Sequence, residues 1–284
     1  MPLVTYNELL NDARNRDYAV GAFNIFSLEF LPAILEVAEE ERSPVLLQIN
    51  PVHFYLADLP EYLRYVKSQI AKTRVPVGLN LDHGKDRDII LTGIRDGFPS
   101  VMFDGSKYPY EENKAKTGEI VKICKPIGIT VEAELGTLND EGLELTKDNQ
   151  DLMFTDPDKA TEFVNETGIN GLAVAIGNAH GFYKGEPKLD FERLKKIRDK
   201  VPVPLVLHGG SGIADADFKK AISLGINKIN IYTEMSASAS KKMKFLLNEQ
   251  EKPADYPASL HEARLAVREV VRQKINIFGS NGKA

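Results

Sequence analysis

The sequence predicts a (β/α)8 TIM barrel with an additional C-terminal helix, and three observations carry that reading. Eight short, β-rich apolar runs recur along the 284 residues. Each is followed by a polar turn and then a longer segment with helical periodicity. The runs begin 23 to 43 residues apart, the span of a strand plus a crossover helix. Near-continuous apolar strands such as Pro204-Leu205-Val206-Leu207 suit a parallel sheet buried on both faces. Eight such units close most simply into one barrel of about 250 residues, so residues 1–284 read as one domain. An open doubly wound sheet is the alternative that strand counting does not eliminate.

In chain order the runs are Ala19 to Asn24, Val45 to Asn50, Val75 to His83, Val101 to Asp104, Ile129 to Leu135, Leu172 to Ile176, Leu205 to His208 and Lys228 to Tyr232. Pro32 falls inside the first intervening helix, which places that helix's first turn at or just before it. Asp86 can cap a helix through Ile89, Ile90 and Ile94 that stops at Gly97. The stretch between Leu135 and Phe154 is the one long polar insertion, the usual place for a lid or binding loop. Asp215 can start a helix through Phe218, Ala221 and Ile222 that ends at Gly225. The tail from about Ser259 to Phe278 reads as an extra amphipathic helix, with Leu265, Val267, Val270 and Val271 on or near one face. Such a helix covers the barrel or meets a second subunit.

Composition narrows the class. With 43% hydrophobic and 27% charged residues the chain has ample material for a large core. A net charge of −5 provides no basic surface for nucleic acid. Cys124 stands alone, so there is neither an intramolecular disulfide nor a thiolate zinc site, and any metal falls to His, Asp or Glu. The first residues lack a signal peptide's basic and apolar regions, and no apolar run approaches about 18 residues. A cytoplasmic protein with no membrane partner is expected.

In a barrel, the residues ending the strands gather at one mouth. Here they are Asn24, Asn50, Asp82-His83, Asp104, Glu132 and Glu134, His180, His208, and Asn230 with Thr233. Three of the five histidines precede glycine (His83, His180, His208), where composition alone predicts about 0.4 such pairs. Neutral imidazoles from three strands suit a zinc ion that keeps an open position for substrate; the plain alternative for each is a hydrogen-bonded rim residue. His53, after the second strand, reads as a solvated loop residue, with contact to substrate as the alternative, and His261 reads as a surface residue of the tail helix. Asp82 is either a proton carrier beside the metal or a cap or ion-pair partner. Strand alternation turns it away from His83 unless the strand has ended. Glu132 and Glu134 share one face by period two, with Asp104 on the neighbouring strand. They form an ion-pair network, hold metal ligands from behind, or ligate a metal themselves. Gly209-Gly210-Ser211-Gly212 and Asn230-Ile231-Tyr232-Thr233 follow strands seven and eight, where barrels often bind phosphate on backbone N–H groups.

These strand ends spell a pattern. Leu81-Asp-His-Gly84, Val131-Glu-Ala-Glu-Leu-Gly136, Ala175-Ile-Gly-Asn-Ala-His-Gly181, Tyr183-Lys-Gly-Glu-Pro187, Val206-Leu-His-Gly-Gly-Ser-Gly212 and Lys228-Ile-Asn230 resemble the class II, metal-dependent ketose-bisphosphate aldolases. The likeness runs from Tyr18 almost to Ser280 and is greatest to the branch of tagatose-bisphosphate and shorter fructose-bisphosphate aldolases. It implies reversible, zinc-dependent cleavage of tagatose or fructose 1,6-bisphosphate to dihydroxyacetone phosphate and glyceraldehyde 3-phosphate through an enediolate. By this resemblance His83, His180 and His208 take the zinc positions and Asp82 the proton-donor position. Gly181, the run Gly209 to Ser211 and the run Asn230 to Thr233 contact dihydroxyacetone phosphate, and Asn24 and Asn50 complete the expected substrate wall. Homodimers or homotetramers are usual in the family.

The chain departs from the family at two places. Relatives carry a Gly-Gly pair and then an acidic stretch whose glutamate handles the enediolate proton; here the loop is Asn139-Asp140-Glu141-Gly142, so that role falls to Glu141, to Glu144 or to neither. Tyr232 stands where relatives carry a small or polar residue. A Schiff-base aldolase would need a lysine within the barrel, and the sequence reading puts Lys228 at the far end of the eighth strand. An aldolase for 6-phospho-5-dehydro-2-deoxygluconate and a non-catalytic phosphosugar-binding barrel stay open. So do the C4 epimer and a monovalent cation near Lys184.

Overall fold

Eight strands pair in sequence order, each parallel to the next, and the eighth returns to the first to close the barrel. The strands are β1 Val20–Asn24, β2 Val45–Ile49, β3 Val77–Gly84, β4 Ser100–Phe103, β5 Thr130–Leu135, β6 Gly171–Val174, β7 Leu205–Leu207 and β8 Ile226–Ile231. Closure removes the open doubly wound alternative, because a barrel has no edge strands. The computed structural model describes residues 3–138, 153–181, 183, 185, 187–248 and 255–284. The proposed proton donors Glu141 and Glu144 and the cation candidate Lys184 lie outside the described residues.

The described helices are α1 Tyr6–Asn15, α2 Phe30–Glu41, α3 Leu59–Ile70, α4 Arg87–Asp96, α5 Tyr110–Cys124, α6 Pro157–Thr167, α7 Phe191–Lys200, α8 Asp215–Ser223, α9 Thr233–Asn248 and α10 Tyr256–Phe278, with a 3₁₀ turn over Pro51–Leu56. Local signals set their ends. Asp86 caps α4 by accepting the Ile89 N–H at 2.9 Å, and Gly97 ends it at φ 101°. Pro32 sits in the first turn of α2, where its missing N–H costs no helical bond. The strands are buried along their whole length, as a sheet with helices outside and a packed interior requires.

Alternation divides each strand between two apolar layers. Leu79, Leu81, Val101 and Val131 pack outward with the helices, while Met102, Ala173 and Val206 meet inside. At the amino-terminal end α1 plugs the barrel, its Leu9 and Leu10 packing on Val20, Ala22 and Leu46. The C-terminal α10 lies against α9, α2, α8 and β1. Its Val267, Val270 and Val271 are buried, but Leu265 is 42% exposed. Leu265 therefore leaves the apolar face it was expected to share, since two residues along a helix turn about 200°. No helix among the described residues is long and apolar enough to cross a membrane.

Lys228 also departs from expectation. β8 begins two residues earlier, at Ile226, so Lys228 lies within the strand and is fully buried. Its neighbour Ile229 packs in the outer layer, which by period two sends Lys228 and Asn230 into the barrel.

Candidate active site

At the carboxyl ends of the strands a cavity of about 410 Å³ opens, the end where barrel enzymes do their chemistry. Asp82, His83, Asp104 and His180 border it, with Asn24 at the end of β1 and Asn50 just after β2. The turns Gly209–Ser211 and Asn230, Tyr232 and Thr233 form another wall. Ile231 does not: its side chain is fully buried in the layer between sheet and helices.

Asp82 and His83 both face the cavity although they are adjacent in β3. The β3–β4 register shifts between Leu81 and Gly84, and His83 adopts φ 50°, the left-handed region. The strand has not ended, as alternation would have required; a bulge re-aims the side chain instead. A non-glycine residue held there costs about 1–3 kcal/mol, a strain typical of functional sites. Oδ1 of Asp82 then lies 3.9 Å from Nε2 of His83.

Three imidazoles converge. The rings of His83 and His208 are 4.7 Å apart between centroids, and those of His83 and His180 are 4.9 Å apart. Ligand atoms of all three lie within 4.8 Å of one another. Two of the rings are held from behind by carboxylates. Nδ1 of His83 is 2.9 Å from Oδ2 of Asp104, and Nε2 of His208 is 2.9 Å from Oε1 of Glu132. An ionised carboxylate only accepts, so each of these nitrogens carries its proton and donates. That leaves Nε2 of His83 and Nδ1 of His208, 3.0 Å apart, turned toward the shared centre. Such outer hydrogen bonds are how metal-binding histidines are oriented. The donor set therefore fits a divalent metal. His83, Asp104 and Glu134 form a second, largely buried group whose ligand atoms also approach within 4.8 Å.

The electrostatics follow from burial and these partners. Burial pushes the His208 pKa down to about 4, outweighing the hydrogen bond to Glu132, so the ring is neutral and able to ligate. Burial also opposes charge on His83, but Asp82 and the bond to Asp104 prevail and raise it to about 9. Asp82 is lowered: its burial penalty is overcome by the nearby His83, His208 and Lys228 and by Asn24. Its carboxylate accepts from Nδ2 of Asn24 at 2.9 Å and Nδ2 of Asn230 at 3.3 Å. A carboxylate so held is an ionised base aimed at the cavity.

The phosphate-type turns depend on close backbone approach. Gly209 has φ 64°, and a Cβ there would meet the Ala179 carbonyl oxygen at 2.0 Å. Gly210 N–H donates to the Asn230 carbonyl at 3.2 Å, tying the two turns together. Ser211 Oγ accepts the Glu234 N–H at 3.1 Å near the start of α9.

Sequence reasoning missed several residues here. Tyr183 Oη donates to the Gly209 carbonyl at 2.9 Å and accepts the Ala179 N–H at 3.0 Å, pinning the His180 loop to the glycine turn. Asn178 donates to the His208 carbonyl at 3.1 Å. Neither link to the β7 segment has a signal in one sequence, because Gly209 and His208 follow another strand. For His53 the structure favours the alternative reading: it lines the cavity, packed at tilted ring angles between Phe26 and Tyr232, with Nε2 3.3 Å from Tyr232 Oη. The 3₁₀ turn after β2 folds it back over the mouth. Lys85, at the end of β3, is the one lysine or arginine among the described lining residues. His261 is exposed, as expected.

Known proteins resemble this chain in sequence and fold along nearly its whole length. The family model of class-II fructose-bisphosphate aldolase matches residues 4–283. A probable fructose-bisphosphate aldolase of Bacillus subtilis is 42% identical over all of both chains, and the fructose-bisphosphate aldolase of Staphylococcus aureus is 40% identical over the same span. The crystal structure of the YdjI aldolase from Escherichia coli K12 superposes with a TM-score of 0.89 at 42% identity, covering 99% of each chain. A putative fructose-1,6-bisphosphate aldolase from Coccidioides immitis does so at 0.87 and 33%, covering 98% of this chain and 97% of its own. With the family match and these likenesses extending over nearly the whole chain, the chain belongs to the class II fructose-bisphosphate aldolase family and is a lyase of the aldolase type.

Proposed function

We propose that the chain cleaves a ketose 1,6-bisphosphate, fructose or tagatose, into dihydroxyacetone phosphate and glyceraldehyde 3-phosphate, with zinc held by His83, His180 and His208. The observation that carries this reading is the convergence of three imidazoles, two fixed by carboxylates, beside the buried base Asp82. Zinc bound there supplies Lewis-acid polarisation of the substrate's C2 oxygen.

The chain's own groups do the rest. Asn24 and Asn230 orient Asp82, which takes the proton of the C4 hydroxyl. The C3–C4 bond breaks, C4 becomes the aldehyde carbon, and the electron pair passes toward C2 and C3. A proton delivered to C3 completes dihydroxyacetone phosphate, with Glu141 or Glu144 the candidate donor. The turns Gly209 to Ser211 and Asn230 to Thr233, at the start of α9, hold one phosphate on their backbone N–H groups, that of Gly210 excepted because it is bonded to the Asn230 carbonyl. Lys85 offers charge to the other. Gly181 and Asn50 complete the wall, and Tyr232 with His53 narrows it. Glu132 and Asp104 act behind the ligands, and Glu134 belongs to the alternative metal group.

The burial of Lys228 and its ion pair with Glu132 argue against a Schiff-base route, which needs an accessible amine. Exposed apolar residues on α9 and α10, among them Phe245, Leu247 and Tyr256, support a homodimer or homotetramer.

The test is cleavage of fructose and tagatose bisphosphates with and without chelator. Loss of activity in chelator and its return with zinc support the proposal. Full activity in chelator with a borohydride-trapped adduct would overturn the mechanism. Preference for the phosphorylated deoxy-keto-gluconate would move the substrate, and zinc and phosphosugar binding without turnover would leave a binding barrel.

A further inference from the structure

Beneath the three imidazoles, toward the plugged end of the barrel, lies a buried polar layer of which the proposed reaction uses only Glu132. Lys228 Nζ is 2.7 Å from Oε2 of Glu132, both side chains being fully buried. The same oxygen accepts the Tyr6 hydroxyl at 2.7 Å, and Lys228 also lies 6.0 Å from the Tyr6 ring centroid. The opposite oxygen, Oε1, faces His208. One carboxylate thus joins the N-terminal helix α1, the strand β8 and an imidazole at the mouth.

Stability alone is a poor account of this layer. Burying an ion pair costs several kcal/mol per ion before attraction returns anything, and barrel interiors are ordinarily filled with branched apolar side chains. Room has also been left for the hydroxyl: a Cβ on Gly171 would lie 2.3 Å from Tyr6 Oη.

We propose that Lys228 and Tyr6 are positioning residues that fix Glu132 with Oε1 toward His208, so that His208 keeps its proton on Nε2 and presents Nδ1 to the metal. The inference rests on the metal-site reading above. Oε2 holds two donors, which stops the carboxylate turning about its Cγ–Cδ bond. Stripped of both, the carboxylate no longer selects the tautomer, and His208 can place its proton on the nitrogen that must ligate.

The test uses the metal-free full chain of wild type, Lys228→Met, Tyr6→Phe and, to assign the ring, His208→Asn. Ring ¹⁵N spectra read the His208 tautomer, and competition with a chromophoric chelator reads zinc affinity. The expected result is a single Nε2–H tautomer in wild type. In Lys228→Met the tautomers mix and zinc affinity falls about 10- to 100-fold, the usual effect of losing such a support. Tyr6→Phe, which keeps the ring and removes one donor, weakens zinc by several fold; if Lys228→Met does not fold, Tyr6→Phe decides. Wild-type zinc affinity and an unchanged His208 spectrum in every folded variant overturn the proposal. A wild type that binds no zinc, with the His208 spectrum still altered in the variants, upholds the positioning role and refutes the metal reading instead.

Discussion

At the scale of single residues, the site is a set of groups made unequal by their neighbours. Asp82 and His83 are adjacent in sequence and opposite in charge, and a bulge turns both to one cavity. Asp82→Asn keeps the volume and removes the base. The expected outcome is a kcat lower by about 10²- to 10⁴-fold with unchanged zinc content by metal analysis; near-normal turnover would assign the proton to another group. His83 carries the pH prediction. Its pKa is raised to about 9, so at pH 7 the ring is protonated, and a ligand must be neutral. Each metal bound therefore releases about one proton, and apparent zinc affinity climbs about tenfold per pH unit up to about pH 9, then levels. Zinc titration in weakly buffered solution with an indicator dye reads this directly. Binding without proton release would remove His83 from the ligand set.

At the scale of elements, the C-terminal helix is clamped by charge as well as by apolar packing. Arg264 and Arg268 pair with Glu36, Arg268 and Arg272 with Glu40, and Arg272 with Glu41, all across the α2–α10 contact. The Arg268 hydrogen bond leads in holding the Glu40 carboxyl below its usual range. A depressed carboxylate stabilises fully above its unfolded pKa of about 4.3, and the contribution disappears as pH falls through the lower folded value. Because Glu40 is about half exposed, Glu40→Gln should cost only about 0.5–1 kcal/mol at pH 7 and almost nothing at an acid pH below its lowered folded value. Urea unfolding at both pH values measures the difference; an equal cost at each would show that the charge is idle. The boundary signals of these elements were legible because they are local. Asp86, Gly97 and Pro32 sit as expected, each satisfying a backbone need within one turn of its own position.

At the scale of the molecule, a barrel closed by its own last strand and plugged by α1 is expected to unfold as one unit. Cys124 reports on this, being fully buried at the end of α5 with its thiol pushed up to about 11 by burial. A disulfide reagent at pH 8 should find no fast-reacting thiol in the native protein and one after denaturation. Thiol exposure and loss of helical circular dichroism should coincide in denaturant. Early thiol release would instead reveal a separately melting segment.

The amino-acid sequence determined the barrel and most of the mouth. Strand number, spacing and the polar residue at each strand end are one-dimensional patterns, and parallel closure carries those ends to one face. Tertiary structure alone decided which neighbours each side chain meets. The β3 bulge defeated simple alternation at Asp82 and His83. Two extra residues at the start of β8 set Lys228 inside the barrel against Glu132, a residue 96 positions away. The turn after β2 folded His53 onto Tyr232, 179 positions away. Periodicity records what a residue's own strand or helix requires; contacts between distant segments depend on register and loop geometry, which only the packed chain supplies.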